Sequence, residues 1–262
     1  MKSANRIILG IAVVSLWLGL QSPAAAQILN GGFETGGFDN WNLSGTGYVV
    51  GTVGTPGIVP VQGNFHAGIS TAANSTFGPN GSFSDLDALD TLFGLTLGTI
   101  YGVKPSNSSD FVRNGSAIMQ TVTVTAGTTV SLSWNFVTTE LLGENTFNDY
   151  AFVVLGTNVF RLQTANDLVN GGLTGPDVVL NNNTYRTSGY QTLNFQFTAD
   201  GTFNIGVGVV NVGDDGASSG LLVDNFVMSA VPEPSTLALV GLTGVGVGTH
   251  YFRRWRKAKL TK

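Results

Sequence analysis

From residue 117 to residue 137 the side chains alternate with a period of two, and that period commits them to opposite faces of extended strands. Ile118, Gln120, Val122 and Val124 fall on one side, and Met119, Thr121 and Thr123 on the other. Ala126-Gly127-Thr128 interrupts the run. Val130, Leu132, Trp134 and Phe136 then form the expected inner face of a second strand, so the two runs read as a hairpin. Residues 150–155, 191–198, 202–210 and 221–229 alternate in the same way. Asp200-Gly201, between two of these runs, is the strongest hairpin signal in the chain.

Short alternating strands with glycine-rich turns and almost no helical period predict an all-β fold, an antiparallel β-sandwich or jelly roll. One stretch departs from the period. Residues 84–95 place Leu86, Leu89, Leu92 and Phe93 at helical spacing behind a Ser-x-x-Asp start, which predicts one short helix over the sandwich edge. Residues 141–147 and 166–176 read as loops.

The two ends have a different character. Lys2 and Arg6 precede an apolar run at 7–20, and Ala24-Ala25-Ala26 supplies small residues before Gln27, so 1–26 reads as a signal peptide. Residues 235–252 hold no Asp, Glu, Lys or Arg and are long enough for a single transmembrane helix. Arg253, Arg254, Arg256, Lys257, Lys259 and Lys262 follow directly, which keeps that end in the cytoplasm and the preceding residues outside. The chain therefore divides into a signal peptide (1–26), an exported β-sandwich (27–230) and a C-terminal tail (231–262).

The net charge of −4 conceals the character of the exported part. Residues 27–230 carry only Lys104, Arg113, Arg161 and Arg186 against fifteen of the sixteen acidic residues, a net of −11. Such a surface repels nucleic acid phosphates and suits an extracellular life or calcium. The absence of cysteine excludes both a disulfide framework and a thiolate metal site.

The tail is Val231-Pro232-Glu233-Pro234-Ser235, an apolar span and a cluster led by Arg253-Arg254. It resembles the PEP-CTERM sorting signal of Gram-negative bacteria. The resemblance implies that Pro232, Glu233 and Pro234 are read by a membrane processing enzyme of the exosortase type, that the inner membrane is occupied only transiently, and that the protein works with exopolysaccharide. The residues agree with that reading. Prolines on both sides of Glu233 hold the segment extended. Gly241, Gly244, Gly246 and Gly248 weaken the span as a permanent anchor, each by about 1 kcal/mol relative to Ala. The rival reading is a lasting anchor with Gly244 and Gly248 as a helix-pairing face.

Within the exported part, residues 30–38 (NGGFETGGF) and Trp41 resemble the first strand of galactose-binding-like jelly rolls and carbohydrate-binding modules. Residues 221–226 (LLVDNF) resemble their last strand. The resemblance implies a structural calcium ion at Glu34 and Asp224, with backbone carbonyls completing six to eight oxygens. A solvated turn glutamate and a bend-capping aspartate are the plainer reading of the same two residues. Asp214-Asp215-Gly216 is above all turn chemistry.

Catalysis finds little purchase. His66 is the single histidine of residues 27–230, and no Gly-x-Ser-x-Gly elbow accompanies it. Fifteen carboxylates could include a glycosidase pair, but no motif singles one out. For stacking on sugar rings the candidates are Trp41, Tyr48, Trp134, Tyr185 and Tyr190. Trp134 alternates with core positions, whereas Tyr185 and Tyr190 flank a polar turn and are expected to point outward. Triplets such as Asn42-Leu43-Ser44 and Asn107-Ser108-Ser109 mark exposed loops. The sequence thus leads to an exported, non-catalytic surface or extracellular matrix protein. A carbohydrate-binding module, its ligand residues unassigned, is the alternative.

Overall fold

The computed structural model describes residues 27–71, 84–106, 112–140, 147–169, 174–180, 182–213 and 217–229. The signal peptide, the sorting tail, Asp214-Asp215-Gly216 and Asn107-Ser108-Ser109 lie outside these residues. So does the 141–147 loop, except for Phe147.

The described residues form twelve strands: β1 (Asn42–Ser44), β2 (Thr46–Val50), β3 (His66–Ser70), β4 (Val112–Val124), β5 (Thr129–Thr138), β6 (Tyr150–Leu155), β7 (Asn158–Thr164), β8 (Val178–Leu180), β9 (Asn183–Thr187), β10 (Gln191–Gln196), β11 (Gly201–Val212) and β12 (Ser219–Ser229). A five-stranded sheet runs β1-β4-β11-β6-β7. A seven-stranded sheet runs β2-β3-β12-β5-β9-β8, with β10 added on β5. The strand pairs are antiparallel. The expected antiparallel sandwich is therefore the fold.

The alternation correctly assigns the faces. Val130, Leu132, Trp134 and Phe136 are buried with Ile118, Val122, Val124, Val207 and Leu221 in the core between the sheets. The two hairpins are corrected. β4 lies in the five-stranded sheet and β5 in the seven-stranded one, so Ala126-Gly127-Thr128 carries the chain between sheets. Asp200-Gly201 does the same between β10 and β11. The two crossings then pair with each other: Gly127 N–H donates to Phe197 O at 2.6 Å, Phe197 N–H to Thr128 O at 2.9 Å, and Ala126 N–H to the Asp200 carboxylate at 2.6 Å. Periodicity fixes which face a residue joins, but turn chemistry does not fix which strand its neighbour pairs with.

Helix α1 (Leu86–Phe93) is shorter than expected, and Asp85 rather than Ser84 caps it, its carboxylate accepting from Ala88 N at 2.7 Å. Ser84 instead makes a β-bridge with Gly115. The helix lies on the outer face of the five-stranded sheet and not over the sandwich edge. Leu89 and Phe93 pack there against Ala117, Met119, Tyr150, Phe152, Val154 and Val210. The buried Asp90 accepts from Gly98 N at 2.6 Å and Ile100 N at 3.0 Å, tying down the segment that follows. A second helix, α2 (Ala165–Val169), replaces the first part of the expected 166–176 loop.

The 30–38 segment is a series of turns and not a strand, with Asn30 and Phe33 at φ 51 and 56. Its apolar residues still close the core, Phe33 lying 5.6 Å from Trp41 and Trp41 5.3 Å from Phe226, ring centre to ring centre. Gly31 permits this approach, because a Cβ there would sit 1.9 Å from Phe226 O.

Candidate functional site

The outer face of the seven-stranded sheet collects the polar and titratable residues the sequence had scattered. The register brings Tyr48 opposite Gly68, Gly68 opposite Leu222, and Leu222 opposite Asn135. One step along, Val50 faces His66. Gly68 is required here, since a Cβ would lie 2.3 Å from Tyr48 Cζ and 2.4 Å from its Oη. Without it the Tyr48 ring could not lie over the strand.

This face is covered. Val53 and Ile58 form a small turn closed by reciprocal backbone hydrogen bonds of 3.0 and 2.7 Å. Thr55 at its tip exchanges hydrogen bonds with Val179 of β8, at 3.0 and 2.9 Å. Val53, Ile58, Val178, Leu180 and Tyr185 bury themselves against Val137 and Leu222, with Tyr48 and Tyr190 packed at their margin. Tyr185, expected to point outward, is 1% exposed, and Tyr190 is half-buried. The polar turn between them folds inward because Ser188 Oγ accepts from Phe136 N at 2.9 Å and lies 3.2 Å from Asn135 Oδ1. Trp134 is a core residue as expected, and Trp41 joins it.

His66 is fully buried on this face. Its Nδ1 is 2.7 Å from the Tyr190 hydroxyl, and its Nε2 is buried with no hydrogen-bond partner among the described residues. Burial pushes the imidazole down to about 4, so it is neutral at physiological pH. The Tyr190 hydroxyl is pushed up by burial and then by the nearby Asp224 charge. Tyr48 is pushed up by burial and then by Tyr190 and Tyr185. The partner of the His66 ring among the described residues is the Tyr190 phenol. Sequence reasoning missed the His66–Tyr190 contact, although Ala67 and Ile69 alternating with His66 and Gly68 carried a strand signal.

Glu34 and Asp224 are brought together at the rim of this face. Both Glu34 carboxylate oxygens accept from Asn64 N at 3.0 Å, and Oε1 also accepts from Phe65 N at 3.0 Å. Asp224 accepts from Gln62 N at 2.8 Å through Oδ2 and from Asn225 N at 2.6 Å through Oδ1. Burial pushes the Asp224 carboxyl up, backbone donors pull it down, and the Glu34 charge pushes it up again. Two neighbouring carboxylates suit a divalent cation in charge. Among the described residues no third His, Cys, Asp or Glu joins them. They offer four oxygens at most, so a calcium ion would need backbone carbonyls to reach six.

Residues 230–257 match the family described as the PEP-CTERM protein-sorting motif. The chain therefore carries that motif and is an exported protein sorted to the cell surface or beyond. No curated protein matches the chain. Among solved structures it is similar to TmCBM61 in complex with beta-1,4-galactotriose, at 17% identity and a TM-score of 0.37, over 78% of this chain and 97% of that one. It is also similar to Family 16 Carbohydrate Binding Module-2, at 13% identity and a TM-score of 0.31, over 77% and 98%. A third similarity is to a structure described as explaining the promiscuous specificity of carbohydrate-binding modules from the β-sandwich superfamily, at 11% identity and a TM-score of 0.35, over 79% and 64%. Among the described residues no helix is long and apolar enough to cross a membrane, and the 235–252 segment lies outside them.

Proposed function

We propose that this is a non-catalytic structural protein of the extracellular polysaccharide layer, delivered there by its tail and released from the inner membrane by an exosortase-type enzyme. The sorting motif at 230–257 carries the reading. The signal peptide at 1–26 sends the chain out, the 235–252 span halts it, and the basic cluster from Arg253 holds the remainder inside.

The folded part supports a structural role over a defined sugar site. A stacking platform needs aromatic rings open to solvent. Here Trp41, Trp134 and Tyr185 are buried, and Tyr48 and Tyr190 sit beneath or beside the 53–58 turn. Phe160 is the only aromatic residue among the exposed large hydrophobics of the described part. The exposed strand surface is instead hydroxyl- and amide-rich, with Thr121 bonded to Asn204 at 2.7 Å and Thr123 to Thr202 at 3.0 Å.

Fractionation of the native host tests the reading. Wild-type protein is expected to travel with the extracellular polysaccharide, and a variant with alanine at Pro232, Glu233 and Pro234 to remain in the inner membrane. Equal distribution of the two would overturn sorting through the tail. Saturable, selective binding to one glycan on an array would replace the structural role with a sugar-binding one.

A further inference from the structure

We propose that the open edge of β10 is a self-association surface, on which a second copy of this chain pairs its own β10, antiparallel, about a two-fold axis at Asn194. This goes beyond the sorting and matrix role and does not rest on it.

β10 joins the seven-stranded sheet through β5 without interruption, from Gln191 facing Trp134 to Gln196 facing Thr129. Among the described residues no strand and no backbone hydrogen bond takes its other side. The ladder fixes which groups are turned outward. Phe197 N–H donates to Thr128 O at 2.9 Å, and Phe197 O accepts from Gly127 N at 2.6 Å. Antiparallel bonding alternates residue by residue, so Phe195 and Leu193 likewise turn their backbone groups to β5. Thr192, Asn194 and Gln196 then turn theirs to the open edge.

Sheet edges are commonly blunted by shortness, charge or a bulge. Such devices are present elsewhere in this fold. β1 and β8 are three residues long, while β7 carries Arg161 and its pairing with β6 shifts register between Ala151 and Phe152. β10 has no charged residue, proline, glycine or register shift. Its exposed side chains are Thr192, Asn194 and Gln196, each able to donate and to accept a hydrogen bond. Phe160 of β7 gives the edge an apolar flank: it is 43% exposed, and its ring centre lies 6.0 Å from that of Phe195.

A second copy fits this edge in face, hydrogen bonding and charge. Residues paired across two strands share one face of the sheet, which restricts the register. With the axis at Asn194, that residue opposes itself and Thr192 opposes Gln196, so the three residues with outward backbone groups meet one another. Leu193 opposes Phe195 on the inner face, the face that packs on the core. Residues 27–230 carry a net charge of −11, which sets copies of the chain to repel. Residues 187–199 carry no charge, so along β10 two copies can approach with no like charges opposed. The contact is isologous and closes at two copies. One strand edge and its flank fall short of the roughly 1,600 Å² of a standard stable interface, so the dimer is expected to form in a concentration-dependent way.

Sedimentation of the purified protein over a concentration series, with hydrogen exchange at both ends of the series, tests the proposal. A monomer–dimer equilibrium is expected. Asn194→Lys sets two positive charges against each other at the axis and is expected to weaken the dimer about tenfold or more. Thr121→Lys makes the same change in net charge at an exposed position of the other sheet and is expected to leave the equilibrium unchanged. In the wild type the amides of Thr192, Asn194 and Gln196 should gain protection as concentration rises, while those of Leu193 and Phe195 are protected throughout. A monomer at every concentration overturns the proposal. So does a dimer that Asn194→Lys leaves intact, or association with no gain of protection at the three outward amides.

Discussion

Glu34 and Asp224, at opposite ends of the sandwich domain in sequence, hold the same short stretch of backbone: Asp224 takes Gln62 N–H, and Glu34 takes Asn64 and Phe65 N–H. Removing either acceptor leaves backbone donors without a partner. Asp224→Ala is expected to cost about 1–3 kcal/mol, and Glu34→Ala, whose bonds are solvent-exposed, about 1 kcal/mol or less. The same pair is the proposed calcium site. Calcium at a hundred times its Kd should stabilise the protein by about 2.7 kcal/mol. Melting curves in calcium and in chelator check this. Coincident wild-type curves would leave the carboxylates as anchors of the backbone alone, and a shift that survives in Asp224→Ala would place the ion elsewhere.

Gly68 and Tyr48 make a second testable pair. A Cβ at Gly68 would overlap the Tyr48 ring at 2.3 Å, so this half-buried ring, packed beside the 53–58 turn and β8, must shift to admit a methyl group. Gly68→Ala is expected to destabilise by about 1–3 kcal/mol. In a Tyr48→Ala background the clash is gone, so the same substitution should cost clearly less. A double-mutant cycle in denaturant measures the difference. Additive costs would mean that the ring already tolerates a methyl group beneath it.

Alkali should unfold the protein and ionise its tyrosines together. Burial pushes the Tyr48, Tyr150 and Tyr190 hydroxyls above their ordinary value of 10. A group whose folded pKa is raised gives stability that is complete below the unfolded value and is lost as pH rises beyond it. Stability should therefore fall from about pH 10 upward. Phenolate absorbance from these residues should appear with the loss of the β-sheet circular dichroism signal. Full phenolate absorbance from a folded protein would contradict their burial.

Much of the fold is legible in the sequence, and particular residues show where legibility ends. Val130, Leu132, Trp134 and Phe136 announce their face because a strand's period is a local property. The pairing of β4 with β11 is not local, and so Ala126-Gly127-Thr128 read as a hairpin turn when it crosses between sheets. Tyr185 and Tyr190 looked exposed beside a polar turn, but Ser188 finds its partners in the buried Asn135 and Phe136 of β5. The His66–Tyr190 contact joins residues 124 apart, which no spacing rule anticipates. Glu34 and Asp224 could be paired only through resemblance to a known family, and the structure does bring both to residues 62–65.

The mature protein is expected to lack its basic tail. The argument is one of topology. On the proposed topology a cleaved signal peptide starts export, the apolar span from Ser235 arrests it, and six basic residues keep the remainder in the cytoplasm. Val231 to Pro234 is then expected at the outer surface of the membrane. Proline lacks a backbone N–H and disfavours a helical residue before it, so this stretch is expected to be extended and open to an enzyme. Four glycines make the span a poor lasting anchor, and a signal that is removed needs no better one. Mass spectrometry of protein from its native host should find Gln27 at the N-terminus, a C-terminus near Pro234, and no peptide containing Arg253. Alanines at Pro232, Glu233 and Pro234 should restore peptides from the basic tail. Wild-type protein that retains Lys262 would make the tail an ordinary anchor, with Gly244 and Gly248 free to pair helices in the membrane.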